Sequence, residues 1–343
     1  MLHLRKKDRS PERLPFGIDG KMQERLILPM QPQNILQDDE KMDLEHKAIE
    51  RIKLASNMSF KYYGAPLVCT YSGGKDSDVM LELFKRSGII FEVHHSLTTV
   101  DAPQTVWHIK EVFKELEENG IKCTIDKHEQ ADESGKKYRV TMWNLIPKRG
   151  IPTRMSRFCC SVLKESGCKK RMIATGVRWE ESNKRKKRSE FEAIGNTLDK
   201  VVGVNDEVML MNDNADTRRI IERCQIKGKT VCNPIIEWPD YDVWNYYRYE
   251  CKRHNQLYEM GYDRVGCIGC PLASKHRYKE FSDFPTYERA YKRAFKKLIE
   301  NRKAMGKNIK WKDEEAAFRW WMEDPNIEGQ RNLFEDYQEL ISE

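Results

Sequence analysis

The chain has 343 residues, enough for about two domains and for a core that needs no disulfide framework. Charged residues make up 34% of it and apolar ones 39%, mean hydropathy is −0.77, and no run approaches the roughly 18 apolar residues of a membrane span. Its start, MLHLRKKDRS, places charge where a secretory signal is apolar, so the expectation is a soluble, cytoplasmic protein with no membrane partner. In that compartment the 10 cysteines stay reduced, and their clustering points to metal or catalysis rather than to bridges. Lys plus Arg 61 against Asp plus Glu 54 leaves +7, an excess that permits an anionic partner without requiring one.

Residues 1–45 mix Pro11, Pro15, Pro29 and Pro32 with charges and read as an irregular N-terminal arm. An amphipathic stretch from about Met42 to Tyr62 follows, with Leu44, Ala48, Ile52, Ala55 and Met58 at helical spacing. Strand and helix patterns then alternate. PLVCTY (66–71) is a strand, Asp76 to Arg86 a helix with Val79, Met80, Leu83 and Phe84 on one face, and IIFEVHHSL (89–97) the next strand. Asp101 and Pro103 supply an N-cap and a first-turn proline for a helix closed by Asn119-Gly120. IKCTIDK (121–127) and RMIATGVR (171–178) complete the strands. This alternation predicts an α/β fold, a parallel twisted sheet with helices on both faces and ligands at the carboxyl ends of its strands. The α/β nucleotide domain is expected over 46–250, and a C-terminal, basic helical region containing the CxxC over 251–343. There Tyr287, Tyr291, Ala294, Phe295 and Leu298 form an apolar stripe, and 286–312 holds ten Lys or Arg against Glu288 and Glu300. Such a basic face is either a solvated surface or a nucleic-acid contact.

Ser72-Gly73-Gly74-Lys75-Asp76-Ser77 lies between an apolar strand and an amphipathic helix, where backbone N–H groups and a helix N-terminus can hold an anion. Lys75 can neutralise phosphate, Ser72 and Ser77 can donate to it, and Asp76 can cap the helix or reach Mg²⁺. The spacings GxxxxGK(S/T) and GxGxxG are absent, which disfavours a P-loop NTPase or a Rossmann dehydrogenase. The hexapeptide resembles the signature of the PP-loop ATP pyrophosphatases, which implies cleavage of ATP between its α- and β-phosphates and adenylylation of a substrate. Further matches are similar to the phosphoadenylyl-sulfate (PAPS) reductase branch of that superfamily. They are the stretch from Gly176 to Arg185, with Arg178, Glu180, Glu181 and Ser182; Thr105 after Asp101-Ala-Pro103; and the stretch from Asn233 through Trp238 to Trp244. The resemblance implies nucleotide contacts for Thr105, Arg178, Glu181 and Arg185, with Lys75, Asp76 and Arg178 as the catalytic residues. Arg178 and Arg185 offer forked donors to phosphate or sulfate, and Glu181 can hold one of them in place.

Cys159-Cys160 and Cys267-Ile-Gly-Cys270 can together supply four thiolates, a set that suits a 4Fe–4S cluster or a tetrahedral Zn²⁺. Spacing does not choose between them. Resemblance to the adenylyl-sulfate reductases implies the cluster, with Zn²⁺ the less favoured occupant. Two departures from an ordinary reductase stand out: the SGGKDS loop is intact, and no cysteine follows Cys270 to act as the usual nucleophile. The chain is therefore closer to the ATP-driven sulfur-transfer members of the branch, with ATP, a sulfur donor and a nucleic-acid acceptor as expected partners. The run Lys184 to Arg188 and the C-terminal basic helix would hold phosphates. The alternatives are a sulfonucleotide reductase with a non-standard nucleophile and a non-catalytic nucleic-acid-binding iron–sulfur sensor.

Overall fold

The computed structural model describes residues 38–165, 167–183, 185–193 and 229–323. Most of the expected N-terminal arm, Lys184 of the basic run and Cys224 lie outside the described residues. Helix α1 (Asp38–Tyr63) begins earlier than its periodicity suggests, so residues 38–45 are helical rather than irregular. Ala48, Ile52, Ala55 and Met58 are its buried stripe.

β1 (Leu67–Thr70), α2 (Lys75–Ser87), β2 (Phe91–Ser96), α3 (Pro103–Glu118) and β3 (Cys123–Asp126) follow in the expected alternation. A small hairpin, β4 (Glu129–Ala131) with β5 (Lys137–Arg139), leads to α4 (Met142–Arg149) and α5 (Phe158–Leu163). β6 (Arg171–Ala174), β7 (Phe191–Ala193) and β8 (Lys229–Cys232) complete a six-stranded sheet in the order β3-β2-β1-β6-β8-β7. Its strands are parallel except β7, which pairs antiparallel to β8. Sequence reading finds neither β7 nor β8; β7 is only three residues long, whereas β8 is as long as β1, β3 and β6.

The order of strands places the site. From β1 the chain crosses to β2 on one side, while the strand on the other side, β6, is reached only after β3 and the intervening helices. The carboxyl end of β1 is thus the switch point of the sheet, where the crossovers part and leave a crevice. Residues 71–74 occupy it. Leu67, Cys69, Met172 and Ala174 face a core shared with α1, α2, α3 and α6 (Asp240–Tyr249), while Val68, Ile173 and Val231 form a smaller cluster on the opposite face. At α3 the structure corrects the expected cap: Ala102 holds the N-cap position, and Asp101 Oδ2 instead accepts from the Thr98 amide at 2.9 Å.

A second core joins α4 to α8 (His276–Asp283), α9 (Pro285–Ala304) and α10 (Glu314–Met322). The α9 stripe buries Tyr291, Ala294, Phe295 and Leu298, with Tyr287 half-buried. Between the two cores lies short α7 (Gln256–Glu259), capped by Asn255. No helix of the described residues is long and apolar enough to cross a membrane.

Gly269 ties the cysteine turn to this second core. Its φ of +73° lies in the left-handed region, and a Cβ there would stand 2.5 Å from Phe281, 3.0 Å from Trp321 and 3.1 Å from Tyr291. Replacing it by alanine combines backbone strain with overpacking. Gly269→Ala should therefore cost about 2–4 kcal/mol, read as a lowered midpoint in chemical denaturation, whereas Gly261→Ala at a similar φ but with nothing within 4 Å should cost less. Equal losses at the two positions would contradict the packing account.

Candidate functional site

The loop after β1 is shaped by Gly73, whose φ is +73° and whose missing Cβ would stand 2.9 Å from Ile109 and 3.1 Å from Thr105 of α3. Only glycine combines that conformation with that approach. Gly74, not Asp76, is the N-cap of α2. Ser77 closes the first turn: its Oγ donates to the Gly74 carbonyl at 2.8 Å and lies 3.2 Å from the Gly74 amide and from Ser72 Oγ. Thr105 is buried beneath Gly73, and its hydroxyl accepts from Asn255 Nδ2 at 3.2 Å. The same Asn255 amide donates to the Gly73 carbonyl at 2.7 Å, and Tyr258 Oη accepts from the Lys75 amide at 2.8 Å. Asn255 and Tyr258 belong to the region expected to be separate, yet they brace the loop.

Charge is dense around it. Lys75 Nζ lies 3.2 Å from Asp76 Oδ2 and 3.1 Å from Asp240 Oδ1, with its ammonium over the Trp244 ring. Arg178 is 3% exposed; its Nε donates to Asp76 Oδ1 at 2.5 Å, one Nη to Asp240 at 2.7 Å and the other to the Trp238 carbonyl at 3.2 Å. The forked donors expected to meet phosphate are thus turned inward, holding two acidic side chains beside the loop. Gly176 permits this closeness, since a Cβ there would stand 3.1 Å from the Asp76 carbonyl. Burial tends to raise the Asp240 carboxyl, but Lys75 and Arg178 overcome it and hold that group below its ordinary value. Glu181 accepts from the Arg178 amide at 2.9 Å and ion-pairs with Arg185. The Arg185 guanidinium is depressed by burial and by the fields of Arg188, Arg157 and Arg178, with Asp76 opposing them. Arg178, Arg185 and Arg188 are each paired with carboxylates, Arg178 with Asp76 and Asp240, Arg185 with Glu181 and Arg188 with Glu192.

The two cysteine pairs lie within each other's electrostatic reach. Cys159 and Cys160 stand at the start of α5 and share a hydrogen bond, and Arg157 Nη2 lies 3.4 Å from Cys160 Sγ. Cys267 and Cys270 share one turn, pinned by the Ile268 amide to the Val100 carbonyl at 2.8 Å, the Tyr291 hydroxyl to the Ile268 carbonyl at 2.9 Å, and the Gly269 amide to Glu280 at 2.7 Å. Cys159 feels the charges of Cys160, Cys267 and Cys270. The hydrogen bond from Cys159, then Arg157, lowers the Cys160 thiol, while burial pushes Cys267 up to about 11 against the pull of Lys164. Soft thiols beside cations that offset thiolate charge suit a 4Fe–4S cluster or Zn²⁺ equally. Among the described residues no group of three or more His, Cys, Asp or Glu is gathered tightly enough to hold a metal ion as it stands. The hydrogen bond to Cys160, with the fields of Cys160 and Cys270, raises the Arg157 guanidinium.

Sequence reasoning missed Tyr71, Asp78, His95, His108, Asp240, Asn255 and Tyr258. Asp78 and Tyr71 flank the hexapeptide and gave the clearest available signal, a charge and a phenol at positions the helix and strand periods bury. Asn255, Tyr258 and Asp240 lie more than 150 residues away and carry no local pattern.

Residues 66–273 match the model of the phosphoadenosine phosphosulfate reductase domain. The match covers more than half of the chain, which therefore belongs to that family. Among curated relatives, an uncharacterized protein of Methanocaldococcus jannaschii is 27% identical over 207 residues, 60% of this chain and 36% of its own length. The chain thus spans about a third of that relative. An adenosine 5'-phosphosulfate reductase of Staphylococcus haemolyticus is 25% identical over 215 residues, 62% of this chain and 73% of that enzyme. Among solved structures, the phosphate complex of a phosphoadenylyl-sulfate reductase from Candida auris aligns with 68% of this chain and 97% of its own, at 14% identity and a TM-score of 0.41.

Proposed function

We propose that the chain is an ATP pyrophosphatase-type adenylyl and sulfur transferase: it binds ATP on Ser72–Ser77, cleaves it to AMP and pyrophosphate by adenylylating an acceptor, and passes sulfur to that acceptor. The observation that carries the reading is the intact SGGKDS loop at the switch point of the sheet, with Lys75 held beside Asp76 and Asp240. The Gly74 and Lys75 amides now meet Ser77 Oγ and Tyr258 Oη, oxygens that phosphate would replace or share. Lys75 and Arg185 would offset charge as the acceptor oxygen attacks the α-phosphorus and pyrophosphate leaves. Asp76 and Asp240, oriented by Arg178, are the carboxylates beside the loop that would hold a magnesium ion arriving with the nucleotide. A 4Fe–4S cluster on Cys159, Cys160, Cys267 and Cys270 would supply a site for binding the donated sulfur. Turnover should release AMP and pyrophosphate, and Lys75→Ala should lower it by about 100-fold or more, because the lost charge acts on the transferring group. ADP and inorganic phosphate as products would overturn the reading.

A nucleic acid is the favoured acceptor. Arg289, Arg293, Lys296, Lys297 and Lys303 are exposed on α9 opposite its buried stripe, and none makes an ion pair with a described residue. Lys292 differs, being paired to Glu288 at 2.8 Å and Glu315 at 2.7 Å. Tyr287 of the same helix donates to the Asp101 carbonyl at 2.7 Å, which fixes the start of α9 beside the cysteine turn. Binding to RNA or DNA should weaken linearly in log–log terms with salt, and Lys296→Gln with Lys303→Gln should lower the slope by about one per lost phosphate contact. Salt-insensitive activity, unchanged in the double variant, would favour a small acceptor.

A further inference from the structure

Tyr71 and Asp78 stand immediately before and after the hexapeptide, and their side chains meet. The Tyr71 hydroxyl donates to Asp78 Oδ1 and lies 2.9 Å from His108 Nε2 of α3. His108 Nε2 is in turn 3.0 and 3.1 Å from the two Asp78 oxygens. The three residues are 2%, 6% and 8% exposed, so none meets a ligand in the crevice directly. Their protons follow from their partners. An ionised carboxylate only accepts, so the Tyr71 hydroxyl and His108 Nε2–H both donate to Asp78. At its other end Tyr71 is also held, because its carbonyl accepts from His95 Nδ1 at 2.9 Å.

We infer that Tyr71, Asp78 and His108 form a clasp that closes the base of the nucleotide loop and thereby positions its phosphate-binding backbone. The inference rests on the nucleotide reading of that loop. Six residues including two glycines lie between Tyr71 and Asp78, and an open loop of that composition samples many shapes. Joining its flanking residues through a buried carboxylate removes most of that freedom before a ligand arrives. His108 lies three residues beyond Thr105 on α3, and Thr105 touches the position of the Gly73 Cβ. One helix therefore holds the loop at its apex and at its base. The clasp residues are positioning residues, acting on the nucleotide only through backbone that they hold.

An ordinary buried hydrogen-bond network would stabilise the fold and leave the affinity of the folded fraction unchanged, which gives the test. ATP binding and steady-state ATP–pyrophosphate exchange are measured on the full chain for the wild type and for Tyr71→Phe, His108→Leu and His108→Gln, with the folded fraction taken from circular dichroism. Tyr71→Phe and His108→Leu should raise the KM for ATP about 10- to 100-fold with kcat of the folded protein changed by less than about threefold. His108→Gln keeps an amide donor near the place of Nε2 and should recover most of the affinity that His108→Leu loses. The glutamine and leucine pair gives this reading whether or not Tyr71→Phe folds. Wild-type protein that does not bind ATP overturns the loop reading and the clasp together. ATP binding by wild type and by folded variants with the same KM overturns the clasp alone.

Discussion

The site depends on one buried guanidinium. Arg178 is 3% exposed, and a charge so placed is tolerated only when paired and fully hydrogen-bonded. Its partners come from three parts of the chain: Asp76 in the first turn of α2, the Trp238 carbonyl after β8, and Asp240 at the start of α6. Glu181 fixes its backbone and Glu180 takes the Asp240 amide at 2.6 Å. The loop, the segment after β8 and the start of α6 are thereby locked to one another. The same pairings orient Asp76 and Asp240 with Lys75 between them.

The second constraint is that residues of the C-terminal region meet the loop and the segment before α3. Asn255 and Tyr258 brace Gly73 and Lys75, while the Cys267–Cys270 turn is pinned to the segment between β2 and α3 through Val100 and Asp101. Tyr291 and Glu280 then fix that turn against the aromatic core of α8, α9 and α10. The start of α3 and the segment before it touch both, Thr105 meeting Gly73 and Asp101 meeting Cys267.

Much of this was legible in the sequence where chemistry is local. The strand-to-helix setting of SGGKDS, the strands flanking it, the apolar stripe of α9 and each of the two cysteine pairs are all short-range patterns. What stayed hidden is long-range. The expectation that Arg178 would face phosphate rests on its type and motif, and only the fold shows the guanidinium turned toward Asp76 and Asp240. Asp101 looked like a helix cap because Asp before Ala-Pro usually is one, yet the Thr98 turn claims its carboxylate. β7 is too short to carry periodicity, and β8, as long as β1, is a strand by its pairing to β6.

Both the nucleotide loop and the cysteine turn touch the segment that opens α3, through Thr105 and Asp101, and the proposed reaction needs them as one site. The most direct test is electron paramagnetic resonance on anaerobically purified, reduced protein, recorded with and without a non-cleavable ATP analogue and paired with iron and sulfide analysis. The expected result is about four irons and four labile sulfides per chain, with a cluster signal that changes when the analogue binds. One zinc with no sulfide, or a cluster signal unmoved by an analogue that demonstrably binds, would contradict a shared site.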